Sequence, residues 1–329
     1  MTIMSQTISS PGAAASAGYA VPLLGALVVL YRPTSEHLTH LLELCAHGTP
    51  LLVVDNSPAA SGALANALNA HGAEYLCNAN RGGIAGAYNR GLARMFERGL
   101  GAVALLDQDS QVSTDYFRLM LESCKALGPR AFAIGPRIYD ENVRHFLPQM
   151  VSNGFSIRTL VFEADASLQP CSFLLSSGCV VSRLAYERLG AFAEALFIDH
   201  VDTEYSLRAL LRGVQFYVEP RLTLLHRIGH KRQHRLGPVR ITSMNHPAFR
   251  RYYMARNGMH LCVQYVPSLP VALVPNFITL LQVFQVLFFE SGKRAKLSSI
   301  GCGIVDGLLG RLGPLETARP RLAARLGQG

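Results

Sequence analysis

The sequence is short of several things, and each shortage narrows what the protein can be. Only 16% of its 329 residues are charged, and from Asn257 to Phe289 there is no Asp, Glu, Lys or Arg at all. Its seven cysteines (Cys45, Cys77, Cys124, Cys171, Cys179, Cys262 and Cys302) are odd in number and never spaced C-x-x-C. That pattern argues against a disulfide framework or a zinc site and predicts buried thiols in a reducing cytosol. The first twenty residues lack a basic segment followed by an apolar core, so residues 1–20 read as a small, polar, disordered tail and secretion is not expected. There is no internal repeat. No recognisable nucleic-acid-binding motif accompanies the basic residues, so nucleic acid is not an expected partner.

What is present fits a large α/β protein. Half the residues are apolar, enough for a sizeable core. The net charge of +9 is uneven: Arg and Lys thicken after Arg208, around Arg227 to Arg235, at Arg250 and Arg251, and at Lys293, Arg294 and Lys296. Such a distribution suits an anionic partner such as a nucleoside diphosphate or acidic lipid headgroups.

Apolar runs alternate with helical spacing over the first third of the chain. Leu23 to Tyr31, Leu51 to Val54, Glu74 to Cys77 and Ala102 to Leu106 read as strands. Helices are expected after Ser35, which can cap the first, then across Ala60 to Ala70, and from the glycine-rich segment through Arg98. This alternation predicts a Rossmann-like domain with a mainly parallel sheet. After Asp115 the pattern loosens. Short strand-like pieces follow, then a helix after Asp202 and two late strands, Val214 to Val218 and Leu222 to Leu225.

Five places carry residues suited to chemistry. The buried run at Ala102 ends in Asp107-Gln108-Asp109. On an extended chain the two acids share a face, and together they can hold a hard divalent cation that grips a diphosphate. A solvated acidic turn is the bland alternative. Asp55 ends the second strand, where parallel sheets bind ligands. The segment Asn80 to Gly91 (NRGGIAGAYNRG) has four glycines and no acid, so a ligand can approach its backbone closely. It matches neither the P-loop nor the dinucleotide fingerprint. Asp199 and Asp202 precede a helix: Asp202 reads either as its N-cap or as a carboxylate taking a proton from an incoming hydroxyl. His226 ends a late strand among basic residues.

The charge-free stretch is interrupted by Pro267, Pro270, Pro275, Gln282 and Gln285. Its cleaner part, Asn276 to Phe289, has fourteen residues against the ~20 that a spanning helix needs. An interfacial helix or hairpin on a bilayer is the expectation, with a buried hairpin next and a true span third.

Taken together the segments resemble a known family. VVDNSP (Val53 to Pro58), NRGGIAGAYNRG, LLDQDS (Leu105 to Ser110), SSGC (Ser176 to Cys179) and FIDHVDTEYSLR (Phe197 to Arg208) follow in the order seen in family 2 inverting glycosyltransferases. The chain is most similar to the rhamnosyltransferases of that family, those of rhamnolipid synthesis in particular. RRYYMARNG (Arg250 to Gly258) and LETARPRL (Leu315 to Leu322) add to the likeness.

The resemblance implies a GT-A fold over 21–235 with a helical, apolar and basic, membrane-associating extension over 236–329. It implies a dTDP-L-rhamnose donor, a glycolipid acceptor such as a mono-rhamnolipid, and a divalent cation, Mg2+ or Mn2+. By position Asp55, Asn80, Gly83, Asn89, Asp107 and His226 would border the nucleotide sugar. Asp109 and Asp107 would hold the metal, and Asp202 would be the general base with Asp199 as the alternative. Many relatives have Glu-Asp where Val201-Asp202 stands here. The implied place of work is the cytoplasmic face of a bacterial inner membrane. A lipid-linked polysaccharide precursor as acceptor, or a non-catalytic nucleotide-sugar-binding membrane protein, are the alternatives.

Overall fold

Strand β1 (Leu24–Leu30) is buried at every position, because both of its faces are covered. Leu27 and Val29 join one apolar cluster, while Ala26, Val28 and Leu30 join the other, following the two-residue period of an extended chain. The computed structural model describes residues 23–162, 167–226, 232–236 and 239–327. The side chains of 226, 232–236 and 239–242 lie outside that description, as does the tail expected to be disordered.

Around β1 the chain winds α1 (Ser35–Ala46), β2 (Leu51–Asp55), α2 (Gly62–Ala70), β3 (Glu74–Cys77), α3 (Gly83–Glu97), β4 (Ala102–Asp107) and α4 (Tyr116–Leu127). Then come β5 (Phe132–Asp140), β6 (His145–Phe146), β7 (Met150–Ser152), β8 (Ile157–Thr159), β9 (Gln169–Cys171), β10 (Cys179–Ser182), α5 (Arg183–Leu189), α6 (Val201–Arg212) and β11 (Gln215–His226). A hairpin of β12 (Arg232–Leu236) and β13 (Val239–Ser243) leads into helices α7 (Ala248–Tyr265), α8 (Val274–Phe289), α9 (Lys293–Leu308), α10 (Leu315–Ala318) and α11 (Pro320–Arg325).

The main sheet runs β3-β2-β1-β4-β10-β5-β11-β9, with β6 beside β5. Pairs β1/β2, β1/β4, β2/β3 and β5/β11 are parallel; β10 and β9 run antiparallel to their neighbours. The sheet is therefore mixed and mainly parallel. α3 covers one face through Ala85, Tyr88, Leu92 and Met95, and α1, α2 and α4 cover the other. Leu27 has no exposed surface, so truncating it to Ala is expected to destabilise by about 2–5 kcal/mol.

Several sequence expectations need correction. The first helix is capped by Thr34, not Ser35, in a capping box closed by His37. Where only short strand-like pieces are expected after Asp115, β5 runs nine residues through Gly135 and Pro136 to Asp140, since the parallel partner β11 pairs with it along that whole length. The two late strands are one, β11, with a register shift between Glu219 and Thr223.

The C-terminal helices are tied to the sheet domain. α7 and α9 cross closely because Gly303 and Gly307 carry no side chain: a Cβ there would lie 2.5 Å from the Tyr252 carbonyl oxygen and 2.3 Å from that of Arg256. Arg256, fully buried, donates to the carbonyls of Leu196 (2.9 Å) and Gly313 (2.5 Å). Asn257 Nδ2 lies 3.0, 2.8 and 2.8 Å from the carbonyl oxygens of Leu196, Ile198 and Asp199.

α8 is turned inside out. Its Pro275, Thr279, Gln282 and Val286 face the protein, while Phe277, Ile278, Leu280, Leu281, Phe284, Leu287 and Phe288 are 44–64% exposed. Pro275 sits in the first turn, where a missing N–H is harmless, and does not interrupt the helix. The helical segment Pro270–Phe289 is thus 20 residues long, with mean hydropathy 1.9, and long enough to cross a membrane by length and composition. Its far end is fastened by Glu290, buried, which accepts from Arg251 at 2.6 Å and from Lys296 at 2.8 Å.

Candidate active site

Parallel strands direct their C-terminal ends to one edge, and ligands settle where the winding direction reverses. Here that reversal lies beside β1, with β2 and β3 on one side and β4 on the other. Asp55 is the register partner of Leu30, and Asp107 that of Val29, so the two acids end strands flanking β1 at nearly the same level. Gln108 closes the crevice floor, its Oε1 accepting the Tyr31 N–H at 2.8 Å.

Beyond Asp107 the chain is no longer extended. Ser110 N donates to the Asp107 carbonyl at 3.0 Å, and Ser110 Oγ accepts the Asp107 N–H at 2.9 Å. The expectation that Asp107 and Asp109 share a face by strand alternation therefore fails, since a turn sets their directions. Asp107 is half-buried; Asp109 is exposed and makes no hydrogen bond or ion pair among the described residues. The chain end of β11 returns to this turn: Leu225 bridges Gln111, which places the backbone of His226 close to the acids. The His226 side chain lies outside the described residues.

A buried tyrosine links this turn to the next segment. The Tyr88 hydroxyl is 3.4 Å from Asp107 Oδ1 and 3.1 Å from Ser176 Oγ. Burial, with the Asp107 charge, pushes the Tyr88 phenol well above its ordinary range, so it stays protonated. Neither Tyr88 nor Ser176 stands out in the sequence by itself, although Tyr88 lies in the glycine-rich segment and Ser176 in SSGC.

The glycine-rich segment is built to receive the loop before α6. Gly83 has φ of 61°, and a Cβ on it would stand 2.1 Å from the Phe197 carbonyl oxygen, which accepts the Ile84 N–H at 2.9 Å. A Cβ on Gly82 would meet Glu194 Oε2 at 2.6 Å. The opposing loop is itself strained: Phe197, Asp199 and His200 all have positive φ, as do Ala79 and Asn80 across from it. Asn89 turns from the crevice and is spent on structure, donating to the Phe192 carbonyl and Glu194 and accepting from Phe192 N at 2.7 Å. Asp55 is buried, with Oδ1 accepting from Ser57 N at 2.8 Å and Oδ2 from the Tyr75 hydroxyl at 2.7 Å. A ligand N–H would have to share one of those oxygens. Asn80 is half-buried at the bend of its segment.

Two acids leave the strained loop. Asp202 is the second residue of α6; the N-cap is His200, so the bland capping reading of Asp202 does not hold. Its Oδ1 accepts the Thr203 N–H at 2.7 Å. Burial raises its pKa above the usual carboxylate range, against the opposing pull of the Thr203 N–H, His200 and the Ser176 main chain. Burial lowers that of His200, favouring a neutral imidazole. Asp199 instead meets Arg250 of α7, whose Nη2 is 2.9 Å from Oδ1. The Asp199, Asp107 and Asp202 charges all favour the Arg250 cation despite its burial. Glu204, in the first turn of α6, is buried and bonded to Arg208 and to the Tyr265 hydroxyl at 2.6 Å.

Asp202 also lines a cavity of about 230 Å³, together with Thr203 and Ser206 of α6 and residues from β5, the chain between β6 and β7, and Phe173 to Leu175. Among the described residues no three His, Cys, Asp or Glu side chains form a cation cage. A pair of carboxylate oxygens at an open turn nonetheless suits a hard cation, which takes its other ligands from phosphate and water.

The comparisons agree with this architecture. The family described as "Glycosyl transferase family 2" matches residues 50–190. The dTDP-rhamnosyl transferase RfbF of Shigella flexneri is 28% identical over 296 residues, 88% of this chain and 96% of the relative. Among solved structures, S. aureus TarS 1-349 superposes with a TM-score of 0.54 at 13% identity, covering 87% of this chain and 80% of that one. Its complex with UDP-GlcNAc gives 0.52 over 93% and 92%. Against the full TarS chain the match spans about half of that protein, 49%. Residues 50–190 thus match the family 2 glycosyltransferases, the fold is similar to that of TarS, and over most of its length the chain is similar to a rhamnosyltransferase.

Proposed function

We propose that the protein transfers L-rhamnose from dTDP-L-rhamnose to a hydroxyl of a glycolipid, most simply a mono-rhamnolipid, with inversion at the anomeric carbon. The Shigella relative is a dTDP-rhamnosyl transferase, which supports this donor. The observation that carries the reading is Asp202: a half-buried carboxylate of raised pKa that borders a cavity and adjoins, through Ser176 and Tyr88, the acidic turn.

The nucleoside diphosphate lies in the crevice beside β1, with the Asn80 segment and Asp55 at its nucleoside end. Asp109, with Asp107 behind it, is the group offered to a divalent cation, Mg2+ or Mn2+, which when bound would neutralise diphosphate charge. Arg250, close to three carboxylates, is the protein's own cation for the leaving group. Asp202 accepts the proton of the acceptor hydroxyl as that oxygen attacks C1 from the face opposite the diphosphate. Its raised pKa makes it a better proton acceptor than an ordinary carboxylate. Asp199, held in an ion pair with Arg250, is the weaker candidate.

The same reading puts the protein on the cytoplasmic membrane face. The outward apolar face of α8 lies in the interface, and the exposed Lys293 and Arg294 just beyond it meet acidic headgroups. The test is to offer purified protein dTDP-rhamnose with mono-rhamnolipid and, separately, with a lipid-linked polysaccharide precursor. Extension of the first supports the reading. Extension of the second alone overturns the acceptor, and extension of neither overturns the activity.

A further inference from the structure

The cavity beside Asp202 has walls that do not match an ordinary sugar site. Ile138 of β5, Leu147, Met150 of β7, Phe173, Leu174 and Leu175 line it. The polar contribution comes from one side, where Asp202, Thr203 and Ser206 of α6 stand, and from Gln149. Gln149 and Leu174 are buried, while Leu175 is 40% exposed and stands at the rim. At about 230 Å³ the cavity exceeds the ~150 Å³ at which an apolar cavity takes up a benzene-sized guest.

The wall is also joined to the apolar helix. β7 and β8 form a hairpin whose turn carries Phe155, 76% exposed. In the same turn the Gly154 carbonyl accepts the Val271 N–H at 3.0 Å, and a Cβ on Gly154 would stand 2.9 Å from Leu269 Cδ2. Val271 lies in the turn that starts the Pro270–Phe289 helical segment. One continuous unit therefore runs from the cavity wall to the outward apolar face of α8.

We propose that this cavity is an apolar acceptor subsite, and that it selects acceptors whose hydrocarbon is attached directly to the sugar bearing the reacting hydroxyl. The inference rests on Asp202 being the base, because that carboxylate fixes where the hydroxyl stands. An acceptor sugar over Asp202 then has its aglycone within one ring of Ile138, Met150 and Phe173. A polysaccharide precursor, with several sugars between the growing end and its lipid, puts polar surface in that space and gains nothing from it. Ile138, Met150, Phe173 and Leu175 are on this account specificity-determining residues.

The experiment uses the full chain, dTDP-rhamnose, and soluble rhamnosides with methyl, butyl, hexyl and octyl aglycones below their micellar concentrations. kcat/KM is expected to rise roughly fourfold per added methylene until the cavity is full, then level off. Equal kcat/KM for the methyl and octyl rhamnosides would overturn the subsite while leaving the transferase reading intact. Absence of transfer to every member, and of donor turnover, would overturn that reading itself. Two filling variants locate the effect: Met150→Trp within the cavity and Leu175→Trp at its rim are each expected to flatten the chain-length series. A series that stays steep in both folded variants would place the hydrocarbon elsewhere, on α8 for example, and overturn the proposal.

Discussion

Arg250 Nε lies 3.0 and 3.2 Å from the two carboxylate oxygens of Asp199, an ion pair that reaches from a C-terminal helix into the loop before α6. The pair separates two acids that the sequence presents as rivals. Asp199 is held by a cation, while Asp202 faces a cavity. It also shows what the C-terminal helices do for the site, since Asn257 of the same helix gathers the carbonyls of Leu196, Ile198 and Asp199.

The Asp199 charge raises the Asp202 pKa, so it can be read in a pH profile. A carboxylate base works ionised, and the rate falls as pH drops through its pKa. Asp199→Asn removes a like charge and is expected to move the acid limb of kcat/KM to lower pH. Arg250→Ala removes a cation and leaves Asp199 uncompensated, so it is expected to move the limb up. Shifts in the same direction for both would contradict the arrangement.

Gly83 has no room for a side chain beside the Phe197 carbonyl. Gly83→Ala is expected to destabilise by about 1–3 kcal/mol through backbone strain and to displace the loop carrying Asp199 and Asp202. Thermal unfolding and transfer rate should both fall. A variant with wild-type melting would show that the two segments do not need this contact.

Asp109 is exposed, so its loss should leave stability nearly unchanged. Asp109→Ala is expected to weaken donor binding in the presence of Mg2+ or Mn2+ and not in chelator, measured by calorimetry with dTDP-rhamnose. Full activity of the wild type in chelator would remove the cation from the account.

The outward face of α8 makes few contacts with the protein, so polar substitutions there should be tolerated. Phe284→Ser with Phe288→Ser is expected to release the chain from vesicles containing acidic lipid in a flotation assay without lowering its melting temperature. Retention on the vesicles would point to another attachment. Deleting everything after Asn257 is a poorer test, because Arg256 and Asn257 themselves buttress the active loop and α9 packs on them.

Much of the sheet domain is legible in the sequence because local pattern decides it. Buried parallel strands read as unbroken apolar runs, and β1, β2 and β4 fall close to where those runs lie; β3, half-buried and opening on Glu74, also falls where a strand is expected. The pattern misleads where the chain turns. Strand alternation would continue to Asp109, but the strand ends at Asp107 and Ser110 closes a turn. Asp202 can be read as a cap because its neighbours' backbone conformation is invisible in sequence; His200, with φ of 60°, takes that place. Arg250 could be found only by knowing the fold, since 51 residues separate it from Asp199. The charge-free stretch is plain in the sequence, but not that Gln282 of α8 is buried while Phe277, Phe284 and Phe288 face outward. Composition does not encode facing, although spacing could: Pro275, Thr279, Gln282 and Val286 recur at helical intervals.

The base assignment is the centre of the account, and two variants test it together. Asp202→Asn keeps the shape and removes the proton acceptor, so transfer is expected to fall by about 10²–10⁴-fold. Donor binding by calorimetry should stay near wild type. Because burial raises the folded pKa of Asp202, ionisation penalises the native state increasingly as pH rises from the unfolded value to the folded one. The Asn variant should therefore melt no lower than wild type at neutral pH. Asp199→Asn should retain most of its transfer. The account predicts loss in the first and retention in the second; retention in Asp202→Asn with loss in Asp199→Asn would contradict it.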